Sequence, residues 1–228
     1  MHDGAGFFGK VRTQGDFVSR RLGVEFVGPW DVCLQRGMLH AQDVFGAQWL
    51  PVYLTAPVWN FALGPHVCGA SAWAGVMMPG VDRVGRYFPF TIAAALDSVD
   101  DGGEWLRHAQ DWYDRAAELA LSTLADDFQL DAFDARLSAF SLATEPVEWR
   151  FGVADDGSGE LSAFGFDEWL GQAFADGVSV WWSEGSAHVP ASACACAGLI
   201  DAPGFARLFD VNAPDAPGLP APVRLVAR

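Results

Sequence analysis

VWNFALGPHVCGASAWAGVMMPGVDRVGRYFPFTIAAA, residues 58–95, decides the fold class. In 58–64, Trp59, Phe61 and Leu63 alternate with Asn60 and Ala62, the period-two pattern of a strand. Residues 71–78 read as a second strand and 87–95 as a third. The connections are short. A parallel pair needs a crossover of roughly a dozen residues or more, so an antiparallel meander is expected. Both faces of these strands are apolar, which calls for helices packed on the sheet.

The turn between the second and third strands interrupts this apolar run. Pro79-Gly80 stops it, and Asp82, Arg83 and Arg86 follow around Gly85. Two readings are open. Asp82 can accept backbone N–H bonds inside its turn while an arginine pairs with it, a structural clamp. Alternatively, Arg83 and Arg86 can grip a carboxylate or phosphate, making an anion- or phosphopeptide-binding module. Asp16, in the polar loop 12–17, is a further available partner for the arginines.

Upstream, 5–11 reads as an opening strand. A helix is expected from Pro29, because proline suits the first helical position. Its stripe is Trp30, Cys33, Leu34, Met38, Ala41, Val44 and Phe45, and Gly46 stops it. Residues 49–57 read as irregular. Downstream, 104–125 reads as one long amphipathic helix and 131–142 as another, with Asp131 and Asp134 in its first turn, where the helix dipole favours acids. Residues 152–160 read as a loop and 166–174 as a short helix. Residues 178–183 and 193–199 read as strands, and a short helix at 205–209 ends the fold. Four prolines in 213–222 exclude helix and central strand. The expectation is an α/β fold of the α+β type, with an antiparallel sheet of five or six strands flanked by helices. A single domain spans 1–212, with a sheet part at 1–97 and a helical and C-terminal part at 98–212. A proline-rich tail, 213–228, follows it.

Composition narrows the function. The 228 residues are 51% hydrophobic and 19% charged, with 10 Trp and 17 Phe, enough for a large core and unlike a disordered chain. Apolar runs are shorter than the roughly 20 residues of a membrane span, and the N-terminus lacks the pattern of a secretory signal. Net charge is −15, unevenly spread. Residues 1–96 hold six acidic and seven basic side chains, whereas 97–228 hold 23 acidic and seven basic. Such acidity disfavours nucleic acid and anionic membrane as partners.

Catalytic patterns are incomplete. No G-x-S-x-G elbow occurs. Ser186 and His188 sit together in EGSAHVP, which reads as a turn. Gly4, Gly6 and Gly9 match G-x-G-x-x-G, but at a strand rather than between a strand and a helix. Cys194 and Cys196 have no second pair at zinc spacing, so the four cysteines read as reduced core residues. No enzyme activity, cofactor or metal is expected.

Several long segments occur in an order that resembles a known family. They are GFFGKVRTQGDFVSR (6–20), PWDVCLQRG (29–37), WLPVYLTAPVWNFAL (49–63), WAGVMMPGVDRVGRYFPFT (73–91) and SVWWSEGS (179–186), with CACAGL behind them. The chain is similar over most of 6–210 to the TagF family, also called ImpM, of type VI secretion-associated proteins. Gly28, where the family often has a polar cap, and the proline-rich tail depart from its pattern. The resemblance implies a longin- or profilin-like N-terminal part. It also implies a cytoplasmic, non-enzymatic accessory protein. Such a protein represses type VI secretion post-translationally and is linked to the system's forkhead-associated scaffold protein. Within these segments Asp16, Phe17, Trp30, Asp82, Arg83, Arg86, Trp181 and Trp182 are the candidate partner-contacting or structural positions.

Overall fold

The computed structural model describes residues 4–98, 101–143, 146–154, 161–210, 213 and 222–227. The chain opens with β1 (Gly6–Gly9) and β2 (Val18–Arg20), then α1 (Val24–Phe45) and α2 (Trp49–Leu54). The expected meander follows as β3 (Trp59–Leu63), β4 (Trp73–Met78) and β5 (Phe90–Ala95). Three helices come next, α3 (Gly102–Arg107), α4 (Gln110–Ser122) and α5 (Leu130–Ser138). The remainder is β6 (Phe151–Ala154), β7 (Leu161–Gly165), α6 (Phe166–Ala173), β8 (Val178–Ser183), β9 (Ser192–Ala197), α7 (Ala202–Arg207) and β10 (Val223–Ala227).

All these strands join one sheet, ordered β2-β1-β5-β4-β3-β8-β9-β10-β6-β7, and every pairing is antiparallel. Ten strands replace the expected five or six. The four additions are β2, β6, β7 and β10, each of three to five residues and too short to show alternation. The expected loop at 152–160 begins inside β6; its remaining residues, 155–160, lie outside the described residues. Most of the proline-rich 213–222 also does. The final strand corrects the expectation that the fold ends at 205–209: β10 slots between β9 and β6.

The sheet carries helices on both faces. Trp59, Phe61, Leu63, Trp73, Met77 and Trp181 point to one side, against Phe26, Trp30 and Leu34 of α1, Tyr53 of α2 and Phe205 of α7. Ala62, Ala74, Val76, Ile92, Val180 and Trp182 point to the other, against Trp112 and Tyr113 of α4, Phe133 of α5 and Phe166 of α6. Alternation thus sorts each strand's side chains between two cores. The helix-facing ring of Phe61 lies over Gly75 across the β3–β4 pair; a Cβ there would stand 2.2 Å from Phe61 Cζ. The pairing of β3 with β8 makes the sheet continuous between the N-terminal and C-terminal parts.

Several helix boundaries differ from expectation, among them α5, which ends at Ser138, and α7, which is Ala202–Arg207. α1 starts at Val24, so Pro29 lies inside it. Phe26 is buried and extends the stripe of Trp30 and Leu34 by one turn, and this packing outweighs one missing backbone donor. The expected helix at 104–125 is two helices. They break at His108 and Ala109, where the His108 carbonyl accepts the Val147 N–H at 3.1 Å. Residues 49–54 are helical, with Pro51 in the first turn, where it costs little. Among the described residues no helix is long and apolar enough to cross a membrane.

Candidate functional site

The 79–89 connection between β4 and β5 is built around Asp82, whose side chain is fully buried. Val81 and Tyr87 form an isolated antiparallel bridge at its base. Gly85 turns the chain at φ +84°, a conformation that glycine adopts without strain. Asp82 Oδ1 accepts the backbone N–H of Val84 at 3.0 Å and of Arg86 at 2.9 Å. Its Oδ2 accepts Arg86 Nε at 2.7 Å and Lys10 Nζ at 2.8 Å. Burial alone would push this carboxyl up. The bonds from Lys10, Arg86 and Val84 outweigh it and hold the carboxyl well below the usual carboxylate range.

The same residues tie two connections together. Arg83 N–H donates to the Gln14 carbonyl at 2.8 Å, and the Arg86 guanidinium donates to the Gly15 carbonyl. Loop 11–17, between β1 and β2, is thereby fastened to the β4–β5 connection. α2 anchors it from below: Tyr53 Oη donates to the Gly80 carbonyl at 2.9 Å and accepts the Gly80 N–H at 2.8 Å. Burial pushes the Tyr53 phenol up, against a smaller opposing effect of the Gly80 bond.

The candidate residues divide sharply. Asp82 and Arg86 form the clamp. Arg83 contributes its backbone only, leaving an exposed guanidinium that makes no ion pair among the described residues. A two-arginine anion cradle is therefore not formed by Arg83 and Arg86, because Arg86 is engaged by Asp82 and Gly15. Asp16 is exposed, and its carboxylate accepts the Phe17 N–H rather than an arginine. Phe17 is 44% exposed and stacks on Phe8 with centroids 5.6 Å apart. Trp30, Trp181 and Trp182 have no exposed surface. Trp30 and Trp181 stack at 5.6 Å in one core, and Trp182 packs on Tyr113 in the other. These three side chains pack the two cores.

Sequence reasoning missed Lys10 and Tyr53. Lys10 is the chain's single lysine among 14 basic residues, a signal open to a reader of the sequence. It lies 72 residues from Asp82, and the β1–β5 pairing brings it close.

A cavity of about 720 Å³ opens beside the clamp. Leu54 and Val58, Leu121 and Leu124, Met78 and Tyr87 line it, with Arg12 and Arg83 among them. A second cavity of about 400 Å³ adjoins it and shares Val58 and Leu121; Asp114, Glu118, Arg150 and Glu184 line that one. Arg150 grips Asp114 through both guanidinium ends, each at 2.8 Å, and also contacts Glu184.

The remaining candidates hold no assembled chemistry among the described residues. Ser186 and His188 meet only through the His188 backbone N–H, 3.4 Å from Ser186 Oγ. All four cysteines are free, and burial pushes the thiols of Cys33, Cys68 and Cys194 up to about 12, so they stay protonated. Among the described residues no group of three or more His, Cys, Asp or Glu side chains is placed to hold a metal ion.

Residues 6–140 match the TagF N-terminal domain, described as type VI secretion system-associated. Among solved structures, the chain resembles PA0076 from Pseudomonas aeruginosa PAO1 at 37% identity and a TM-score of 0.76. The likeness covers 95% of this chain and 99% of that one. A search of the curated proteins finds no match.

Proposed function

Because the chain belongs to the TagF family of type VI secretion-associated proteins, we propose that it is a cytoplasmic, non-catalytic subunit that represses type VI secretion by binding the system's forkhead-associated scaffold protein. The observation that carries this reading is the match over 6–140, which contains the clamp and both loops it fastens. The clamp supports it: Lys10 and Arg86 both donate to Asp82, and Arg86 also to the Gly15 carbonyl, so these groups hold the fold rather than stand as acid, base and nucleophile round a substrate. A rigid surface feature of this kind suits recognition, since a preordered loop loses little freedom on binding.

The test has two arms. The scaffold protein is expected to co-purify with the tagged chain from cells. Deleting the gene is expected to release effector secretion under repressing conditions. Secretion unchanged by the deletion sinks the repressor reading.

A further inference from the structure

The two adjoining cavities form one continuous groove along α4. Its lining residues on that helix run from Tyr113 to Leu121, about 12 Å at 1.5 Å per residue. Two features mark it as unfinished surface. Leu54, Leu121 and Leu124 are 54%, 47% and 41% exposed and converge from α2 and the end of α4. Isolated exposed leucines are ordinary, but three around one cavity form the kind of patch that a partner covers. The groove is also polarised. Arg83, unpaired, and Arg12, in an exposed pair with Asp126, stand at the apolar end. Asp114, Glu118 and Glu184 stand at the other against a single Arg150.

We infer that this groove binds an amphipathic segment of a partner protein. Apolar side chains of the segment enter between Leu54 and Leu121. An acidic residue at one end meets Arg83, and a basic residue at the other meets Glu118 and Glu184. Charge complementarity fixes the direction of the segment, and the leucines supply affinity. A second copy of this chain is disfavoured as occupant, since each copy carries a net charge of −15. The inference rests on reading the chain as a partner-binding subunit.

A displayed library of random peptides of about twelve residues, long enough to cross the groove as a helix, is panned against the full chain. Enriched peptides are synthesised with a fluorescent label and titrated by anisotropy. They are expected to share apolar residues flanked by an acid on one side and a base on the other. Leu121→Asp is expected to weaken them about tenfold or more, as loss of a central apolar contact does. Arg83→Glu weakens them too, and exchanging the peptide's acid for lysine restores binding to that variant alone. Both positions are exposed, so unchanged melting temperatures confirm that the variants are folded. Absence of enriched peptides, equal binding to all variants, or no charge polarity overturns the proposal. So does a dimer that Leu121→Asp dissolves in a chain that selects no peptide. The scaffold protein is not used, so the two readings fail separately. A groove that selects peptides while the scaffold fails to co-purify sinks only the proposed function.

Discussion

Asp82 and Arg83 are neighbours in the chain, and the fold treats them oppositely. Asp82 is buried and meets four donors drawn from three residues. Arg83, one residue on, keeps its guanidinium in solvent at the edge of an apolar groove. The difference comes from what surrounds each. A carboxylate in the turn can satisfy N–H groups that would otherwise be orphaned, and Lys10 and Arg86 compensate its desolvation. Among the described residues no carboxylate pairs with the arginine, so no ion pair draws it inward. Charge on the inner side of this connection organises the fold, while charge on the outer side is free for recognition.

Four measurements test that contrast. The largest effect is expected from Asp82→Ala, which strands the buried Lys10 ammonium and removes the acceptor of two part-buried backbone N–H groups. Removing one partner of a buried ion pair is strongly destabilising, so Tm should fall on the order of 10 °C by calorimetry. A Tm within a degree of the parent would show that the inner side is dispensable. Next is Tyr53→Phe, which removes both bonds to Gly80 and leaves its N–H unpaired, while its carbonyl keeps the Phe88 N–H; the expected loss is about 1–3 kcal/mol in chemical denaturation.

Acid comes third. The folded carboxyl of Asp82 lies below its unfolded value, so its contribution is complete at neutral pH. That contribution declines as pH falls below the usual carboxylate range of roughly 4 and is lost through the folded value. Stability measured from neutral pH down to about 2 should therefore fall more steeply in the parent than in Asp82→Asn. Parallel curves would place the acid sensitivity elsewhere. The smallest effect is expected on the outer side: Arg83→Ala should change stability by no more than about 0.5 kcal/mol. A larger loss would mean that its guanidinium, and not only its backbone, holds loop 11–17.

The inner side was half legible in the sequence. An acid and two arginines in a glycine-bearing turn signalled a clamp, because aspartate bonds its own turn and arginine pairs with it. Which arginine pairs could not be read. That depends on the positive φ of Gly85, which brings Arg86 back over Asp82. The meander of β3, β4 and β5 was legible through alternation of large side chains. The break at His108 and Ala109 was not, since the apolar stripe continues through it and the cause, Val147, lies far along the chain. Phe26 carried the true start of α1, but Pro29 gave a stronger local signal for a later one. The groove was invisible for a related reason. Leu54 lies in a stretch that reads as irregular, Leu121 and Leu124 in a distant amphipathic helix, and nothing in the sequence brings them together.

The chain's single lysine offers a use of its own. Lys10 is 6% exposed with its ammonium held by Asp82, so the described residues present no readily accessible lysine amine. Amine-reactive reagents should reach that ε-nitrogen only when β1 and the β4–β5 connection separate. The labelling rate at this one atom, read by mass spectrometry, then becomes a stopwatch for local opening of the clamp, running without any engineered probe.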